Sequence, residues 1–375
     1  MSDKRHVEIG ETVAVDKAAL TGLLAALRVA GYMPLGPQIR DAAIVYETLD
    51  RLDQLPQGYV TEQAPGRFRL LFTGHNRYFD FIPAAPSWKQ FLFPPRLDAF
   101  ELSRSAVGWH RVGPDEDTPA FAFIGVRACE LAAIQIQDKA FVRGDFSDPV
   151  YRSRRERVFI LAVNCLHPAG TCFCAAMSTG PRVRSGFDLC ITEIEDVFLV
   201  EIGSELGLRF ASSTPWMTPS AFMLGNAERG VDQATRQAAT TAAAPDASRD
   251  ILDNLEHPHW QAVAEQCLSC GNCTLVCPTC FCWDVSDQTN LAGTETRRER
   301  VWDSCFNPAY SHQAGGNTRP TCKARYRQWL SHKFATWHQQ YGTSGCVGCG
   351  RCVTWCPVGI DVRKEISALH MESPR

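Results

Sequence analysis

The chain has 375 residues, enough for two or three domains with separate cores, and its formal charge of −3 gives no support to a nucleic-acid-binding function. Its 17 cysteines are odd in number and clustered, which argues against a secreted disulfide framework. The polar start leads into no apolar segment, and no apolar run approaches the length of a membrane span. We therefore expect a soluble cytoplasmic protein that binds neither membranes nor nucleic acids.

The first predicted elements are a helix, a hairpin and a loop. Residues 17–30 predict a core helix, with Asp16 as its N-cap and Gly31 as its stop. Residues 59–74 predict two strands joined by a Pro-Gly turn, and the aromatic segment 88–95 predicts a loop packed on the body of the protein. The apolar face of the helix would carry four leucines: Leu20, Leu23, Leu24 and Leu27.

A strand–helix–strand unit is predicted next. Residues 121–126 and 158–163 are continuous apolar runs, and residues 129–142 between them have a helix-like pattern. This order predicts a parallel βαβ unit with both faces of its strands covered. We therefore expect residues 1–225 to form an α/β or α+β domain.

Four cysteines fall at one edge of that predicted unit. The carboxyl ends of parallel strands emerge at the same edge of a sheet, and Cys129 and Cys165 each follow one of the two strands. The loop after the second strand adds Cys172 and Cys174. We predict that these four thiols ligate a [4Fe–4S] cluster, the third of this chain. The alternative is that they are free thiols packed as small hydrophobic side chains.

Residues 226–250 lose the large apolar side chains and are rich in Ala, Gln, Thr and Asp. This composition predicts a linker, or a poorly packed helix ending before Pro245. The last region, residues 251–375, contains two cysteine motifs separated by a long insert. Because residues 328–341 of the insert have a helical pattern, we expect a mostly α-helical ferredoxin-like domain with two clusters.

The most informative pattern is a motif of four cysteines and a proline that occurs twice. Both copies read C-x2-C-x2-C-x3-C-P, which is typical of proteins with two [4Fe–4S] clusters. The first three thiolates of such a motif surround one cluster and the fourth ligates the other, so the expected ligation is crossed. The first predicted cluster has the ligands Cys267, Cys270, Cys273 and Cys356, and the second has Cys346, Cys349, Cys352 and Cys277.

Zinc is the alternative metal, because paired C-x2-C hooks also form zinc ribbons. A tetrahedral zinc site takes two cysteines from each hook, however, and would leave the third cysteine of each motif without a role. Gly271 and Gly350 follow a ligand in each copy and would let the backbone approach sulfur and direct amide groups at it. The spacing therefore favours iron as the metal that these cysteines bind.

Five cysteines have no place in these three sites. We interpret four of them as packing or supporting residues rather than ligands of a fourth cluster, and Cys190 as a core residue. Because Cys280 also forms a C-x2-C pair with Cys277, the ligand register at this end stays open. The four are Cys280, Cys282, Cys305 and Cys322.

A basic stretch lies in the same insert. A solvated helix face is the ordinary interpretation of such a stretch, although cations beside anionic clusters would raise their potentials or attract an acidic partner. Its members are Arg319, Lys323, Arg325, Arg327 and Lys333.

Motifs for other chemistry are absent from the sequence. The chain has neither G-x-G-x-x-G nor G-x-x-x-x-G-K-[ST], so it shows no dinucleotide fingerprint and no P-loop. It has no H-E-x-x-H and no evident Ser/His/Asp set, and histidines such as His110, His312 and His332 are interpreted as structural. Electron transfer is the function that remains.

Several segments together resemble one protein family over most of the chain. The segments 125–141, 164–174, 267–282 and 346–361 resemble the beta subunit of cytoplasmic sulfhydrogenases, the NADP-reducing nickel–iron hydrogenases. They are equally similar to the iron–sulfur subunit of anaerobic sulfite reductase, which belongs to the same 4Fe–4S dicluster group. The similarity extends to 87–95, 148–156, 302–305, 314–328 and 332–334 and is weak across 203–250.

The resemblance implies a non-catalytic subunit of an oxidoreductase complex. In that family the subunit binds iron–sulfur clusters and relays electrons between two partners. One partner is a flavin/NAD(P)-binding diaphorase-type subunit, and the other is a hydrogenase or sulfite reductase catalytic subunit. Cys322 does not match a ligand of the family. Nickel–iron or sirohaem chemistry would need ligand motifs that this sequence lacks.

Two other functions remain open on the sequence. A catalytic iron–sulfur subunit could use a free thiol such as Cys280 or Cys282 on a disulfide or polysulfide. A cluster-based redox sensor is less well supported, because no DNA-binding element is evident in the sequence.

Overall fold

The protein is described by a computed structural model that covers residues 7–112, 119–212, 215–239 and 247–371. In chain order its elements up to residue 239 are β1 (Thr12–Asp16), α1 (Ala19–Val29), β2 (Tyr32–Arg40), β3 (Ala43–Thr48), a 3-10 turn (Leu52–Gln54), β4 (Tyr59–Ala64), β5 (Arg67–Phe72), α2 (Lys89–Leu92), β6 (Arg96–Ser105), β7 (Gly108–Val112), β8 (Ala120–Arg127), α3 (Ala128–Phe141), α4 (Pro149–Arg155), β9 (Phe159–Val163), β10 (Leu189–Ile194), β11 (Val197–Ile202), α5 (Glu205–Ser212) and α6 (Ala221–Ala239).

The elements after residue 246 are mostly short helices around the two cysteine motifs. They are α7 (Ala247–Asp253), α8 (His259–Gln266), α9 (Asn272–Leu275), β12 (Trp283–Thr289), β13 (Glu295–Trp302), β14 (His312–Gln313), β15 (Gly316–Asn317), α10 (Cys322–Ser331), a π-helical turn (His332–Thr336), α11 (Trp337–Tyr341), α12 (Arg351–Thr354) and α13 (Val362–Met371).

A seven-stranded mixed sheet forms the body of the N-terminal region. Its strand order is β1-β11-β10-β9-β8-β2-β3, and the four neighbours β10, β9, β8 and β2 run parallel. The predicted βαβ unit is confirmed, because β8 and β9 pair in parallel with α3 between them in the chain. All five residues of β9 are buried, which agrees with a continuous apolar strand covered on both faces.

Helix α1 confirms the predicted apolar face, since Leu20, Leu24 and Leu27 are buried against one side of the sheet. Leu23 belongs to the same cluster. The predicted N-cap was wrong: Asp16 is the last residue of β1, where it pairs with Val197 of β11. Strand pairing keeps Asp16 extended, so its side chain does not cap the helix.

The segment 88–95 packs on the sheet as predicted, but part of it is helical rather than loop. Trp88 is 1% exposed and stacks between Tyr46 and Phe123, with ring centroids 4.0 and 4.6 Å away. Helix α2 follows directly and buries the Lys89 side chain. Aromatic stacking therefore fixes this segment on the protein and sends a lysine inward.

The predicted hairpin of residues 59–74 is confirmed as β4 and β5. Its turn contacts the second cysteine motif: the Gly66 amide donates to the Val353 carbonyl at 3.1 Å. Phe68 on β5 stacks on Trp355, with ring centroids 5.3 Å apart. This hairpin therefore supports the loop that bears the second motif.

The insert between the motifs contains a hairpin that the sequence did not predict. Strands β12 and β13 join β6 and β7 in a four-stranded sheet of order β12-β13-β6-β7. Both new strands are charged and largely exposed, so they lack the apolar alternation by which strands are recognised. The predicted helical residues 328–341 lie in α10, the π-helical turn and α11.

Helix α6 occupies much of the stretch 226–250, and Val231, Ala234 and Ala238 are its buried residues. Of the two predicted alternatives, a helix is present; Pro245 lies outside the described residues. No helix in the described part of the chain is long and apolar enough to cross a membrane.

Candidate iron–sulfur centres

The two cysteine motifs follow the same backbone path. Gly271 and Gly350 have left-handed conformations, with φ of 72° and 75°, and each stands directly before a one-turn helix, α9 or α12. Ser269 and Gly348 occupy a second matched left-handed position, with φ of 51° and 62°. The repeated positive φ curls each loop tightly around its cysteines.

Backbone amides already point at three of the candidate ligands. The Ser269 amide donates to Cys267 Sγ at 3.4 Å, and the Gly348 amide donates to Cys346 Sγ at 3.3 Å. The Ile360 amide likewise donates to Cys356 Sγ at 3.3 Å. Amide hydrogen bonds to sulfur stabilise thiolates and raise the potential of a bound cluster. The donors are not the amides expected from the sequence at Gly271 and Gly350.

The first cavity brings together cysteines from both motifs. Cys356 of the second motif lies with the first three cysteines of the first motif, as the crossed arrangement requires. Its lining is otherwise apolar and includes Phe306, Tyr326 and Trp329. The cysteines that line it are Cys267, Cys270, Cys273, Cys356 and, from the second predicted set, Cys352.

The second set is gathered around Cys277, the last cysteine of the first motif. Burial raises the pKa of Cys346 to about 12, and the negative charges of nearby Cys349 and Cys277 add to that rise while Lys333 opposes it. Cys352 also lies near Cys346, Cys349 and Cys277. Cys277 thus approaches the second motif rather than closing on its own.

These surroundings fit all-cysteine iron–sulfur clusters. All 17 cysteines are free thiols. Among the described residues, no group of three or more His, Cys, Asp or Glu side chains is arranged around a single metal ion. Burial raises the pKa of Cys273 and of Cys352, so these thiols are neutral until a metal displaces their protons.

The four cysteines of the predicted third site line one enclosed cavity. Cys129 begins the first turn of α3, directly after β8, and Cys165 follows β9 at the same sheet edge. Cys349 and two buried arginines, Arg127 and Arg351, also line this cavity. The sheet edge and the following loop together contribute Cys129, Cys165, Cys172 and Cys174.

The loop that bears Cys172 and Cys174 is packed against the second motif. The Phe173 amide donates to the Gly348 carbonyl at 2.8 Å, and Cys172 Sγ lies 3.9 Å from the Cys349 carbonyl. A Cβ at Gly348 would lie 2.6 Å from the Phe173 backbone, so only glycine fits there. This close packing puts the third cavity directly beside the second motif.

Arg127 gives the third cavity a positive charge. Its Nη2 donates to the Phe79 and Phe81 carbonyls, at 2.5 and 2.8 Å. Its buried Nε has no hydrogen-bond partner among the described groups. An unpaired buried donor is costly, and a bound anion would satisfy it. The cavity is therefore suited to the net negative charge of a cluster with four thiolate ligands.

Arg351 joins the second motif to the α/β region. Its Nη2 donates to Glu130 on α3 at 2.5 Å, and both side chains are almost completely buried. Glu130 also accepts from the Tyr46 hydroxyl at 2.9 Å and from Trp88 Nε1 at 3.3 Å. One carboxylate therefore connects three parts of the chain at the wall of the third cavity.

Replacing Glu130 with glutamine is expected to lower the free energy of unfolding by about 3–5 kcal/mol, because it leaves the Arg351 charge buried without a counter-ion. Anaerobic urea denaturation followed by circular dichroism measures this change. The matched control is Glu47→Gln, which breaks the exposed 2.6 Å pair with Arg40 and should cost less than about 1 kcal/mol. Equal losses in the two variants would contradict a structural role for the buried pair.

Lys333 was missed as a site residue, because the basic stretch was interpreted as a solvated face. Lys333 lies in the π-helical turn and is 6% exposed, and Arg325 is also buried. Its Nζ lies 3.3 Å from Cys277 Sγ and donates to Thr279 Oγ1 and the Gly345 carbonyl, both at 3.0 Å. A π-helical turn is a frequent marker of functional positions, but its sequence has no signal that distinguishes it from α-helix.

The remaining cysteines divide into two groups. Cys190 is a buried residue of β10, as expected, and Cys322 Sγ contacts the Cys267 carbonyl at 3.6 Å. Cys280, Cys282 and Cys305 lie together near Lys333. Sequence reasoning had not joined these last three, which come from different parts of the insert.

Comparison with known proteins agrees with this geometry. Residues 266–360 match the family described as 4Fe-4S dicluster domain. The chain is 34% identical to Sulfhydrogenase 2 subunit beta of Pyrococcus furiosus over 335 residues, which cover 86% of this chain and 95% of the relative. No solved structure matches the chain significantly. The chain therefore belongs to the family of sulfhydrogenase beta subunits and contains a 4Fe–4S dicluster domain for iron–sulfur electron transfer.

Proposed function

We propose that the protein relays electrons to or from the catalytic subunit of a hydrogenase or sulfite reductase complex, with a flavin/NAD(P)-binding diaphorase-type subunit as the second partner. The observation that carries this proposal is the contact between the cysteine-lined sites. The second motif contributes Cys352 and Cys356 to the lining of the first cavity and Cys349 to that of the third. Sites that share one loop lie close enough together to form a continuous path for electrons.

The proposed ligands are the three predicted sets of cysteines. Bound [4Fe–4S] clusters supply one-electron transfer and no bond chemistry. The first cavity would take the crossed set that includes Cys356, and the second set would include Cys277. The third would take Cys129, Cys165, Cys172 and Cys174.

Protein groups around these sites perform two tasks. Amides of Ser269, Gly348 and Ile360 orient and stabilise the thiolates they contact. Lys333 and Arg127 place buried positive charge beside the second and third sets, which favours their reduced forms.

The first site also has the surface that a partner needs. Cys270 is exposed, and Leu268 and Val358 at the same cavity are 63% and 41% exposed. Apolar side chains around an exposed ligand are suited to contact another subunit without a layer of water. Electron exchange with one partner is therefore proposed at this face.

The relay is tested with the purified, anaerobically reconstituted chain. We expect reduced viologen dye to bleach its visible absorption, whereas NAD(P)H, hydrogen and sulfite have no effect. Addition of a flavin-containing partner subunit should let NAD(P)H reduce the chain, and Cys129→Ser should slow that step if the third site is on the path. Stopped-flow absorbance measures the rates.

Cys190→Ser is the matched control for Cys129→Ser, since Cys190 is a buried cysteine of the same sheet but lies outside all three sets. Rapid reduction of the isolated chain by NAD(P)H without flavin would contradict the relay. It would require a nucleotide site in this chain.

A further inference from the structure

Cys280, Cys282 and Cys305 have no place in the proposed relay. The hairpin of β12 and β13 brings them together, because Trp283 at its start pairs with Trp302 at its end. The Asp303 amide then donates to the Cys282 carbonyl at 2.9 Å, just outside the last strand pair. Antiparallel pairing thus places the two chain ends that bear Cys282 and Cys305 side by side.

The three thiols form one group with defined contacts. Cys305 forms a hydrogen bond with Cys282, and the Tyr310 hydroxyl contacts the same sulfur. Cys280 is close enough to Cys282 for their charges to interact. Cys305 is similarly close to Cys273, a ligand proposed for the first cluster. The group is therefore adjacent to the proposed path but distinct from its ligands.

Two buried lysines face this group. Lys89 is 3% exposed, and its Nζ donates to the Cys280 and Leu275 carbonyls at 3.1 and 3.4 Å while lying 3.8 Å from the centre of the Trp302 ring. Lys333 lies on the other side, against Cys277. Neither ammonium pairs with a carboxylate in the described part of the chain.

Buried ammonium groups without a counter-ion are strongly unfavourable. Cys277 and Cys346, in the proposed second cluster, offset the charge of Lys333. Lys89 has Cys280 and Cys282 of the remaining group beside it, as well as Cys277. Neutral thiols would not balance a second ammonium, whereas thiolates bound to a metal cluster would.

We propose that Cys280, Cys282 and Cys305 ligate a further iron–sulfur cluster, beside the buried ammonium of Lys89. Three cysteines leave one coordination position of a four-iron cluster to a different ligand. This site uses none of the cysteines assigned to the relay, so it stands or fails independently of that function.

The first test compares iron and acid-labile sulfide in reconstituted wild type and the double variant Cys282→Ala/Cys305→Ala. The variant is expected to contain about four fewer iron and four fewer sulfide per chain, because one cluster is lost. The paramagnetic signals of the clusters in the two motifs should persist. Cys190→Ala is the matched control and should retain the wild-type content. Equal iron in wild type and double variant, or zinc in place of iron, would overturn the proposal.

The second test uses wild-type protein and therefore does not depend on the folding of a variant. Native alkylation with iodoacetamide, read by peptide mass spectrometry, should leave Cys280, Cys282 and Cys305 unmodified until an iron chelator is added. A free dithiol would react before chelation, and a disulfide between Cys282 and Cys305 would react only after a reductant. Either result would overturn the proposed cluster.

Discussion

Replacing Cys356 with serine is expected to damage the cluster whose other ligands are Cys267, Cys270 and Cys273, which lie far earlier in the chain. Cys356 lines the first cavity together with those three residues. Serine is a poor ligand for iron, so this cluster should be lost or converted, with a decrease of about four iron per chain at most. Electron paramagnetic resonance of the reduced protein measures which signal disappears.

Cys346→Ser is the matched comparison, because it removes the first ligand of the second motif. Cys346 lies with Cys349 and Cys277, so its replacement should remove the other signal. In wild type, two adjacent reduced clusters should give broadened, interacting spectra, and each variant should leave a simpler spectrum. If both variants removed the same signal, each motif would close on itself and the crossed arrangement would be wrong.

Replacing Cys174 with serine is expected to remove the third cluster and leave the other two in place. Cys174 lines the cavity at the sheet edge and lies next to Cys172 and Cys165. The reconstituted variant should contain about four fewer iron and four fewer sulfide than wild type, because one cluster cannot form. Iron analysis and Mössbauer spectroscopy measure the loss.

The control for Cys174→Ser is Cys190→Ser, another replacement of a buried cysteine in the α/β region. Both variants insert a hydroxyl into the interior, but only the first removes a proposed ligand. Loss of iron in both would indicate damage to the fold rather than to a site. Full iron in Cys174→Ser would show that the four thiols at the sheet edge are packing residues.

The sequence predicted those parts of the molecule in which local spacing determines the chemistry. The repeated motif indicates iron–sulfur ligation because three closely spaced thiols can surround a cluster within one short loop. The apolar runs of β8 and β9 likewise indicated a parallel unit, because strands covered on both faces require continuous apolar sequence. From that unit followed the expectation that Cys129 and Cys165 meet at one edge.

Local patterns failed where the decisive partner is distant in the chain. Strands β12 and β13 are polar and exposed, and they form because they pair with β6 from the N-terminal region. In the sequence Lys333 is one cation of a basic stretch, but the π-helical turn directs it to Cys277. Such burial depends on packing between elements, which no periodicity within the segment encodes.

By itself, the sequence therefore determined the cluster chemistry, the two motifs and the parallel unit, since each depends on residues that are close in sequence or on a regular apolar pattern. The tertiary structure alone decided how the sites are connected and charged. Packing of the loop 171–174 on Gly348 places the third cavity beside the second motif. Burial of Lys89, Lys333 and Arg127 then sets the positive charge around the sites, because the energy of a charge depends on the groups that exclude water from it.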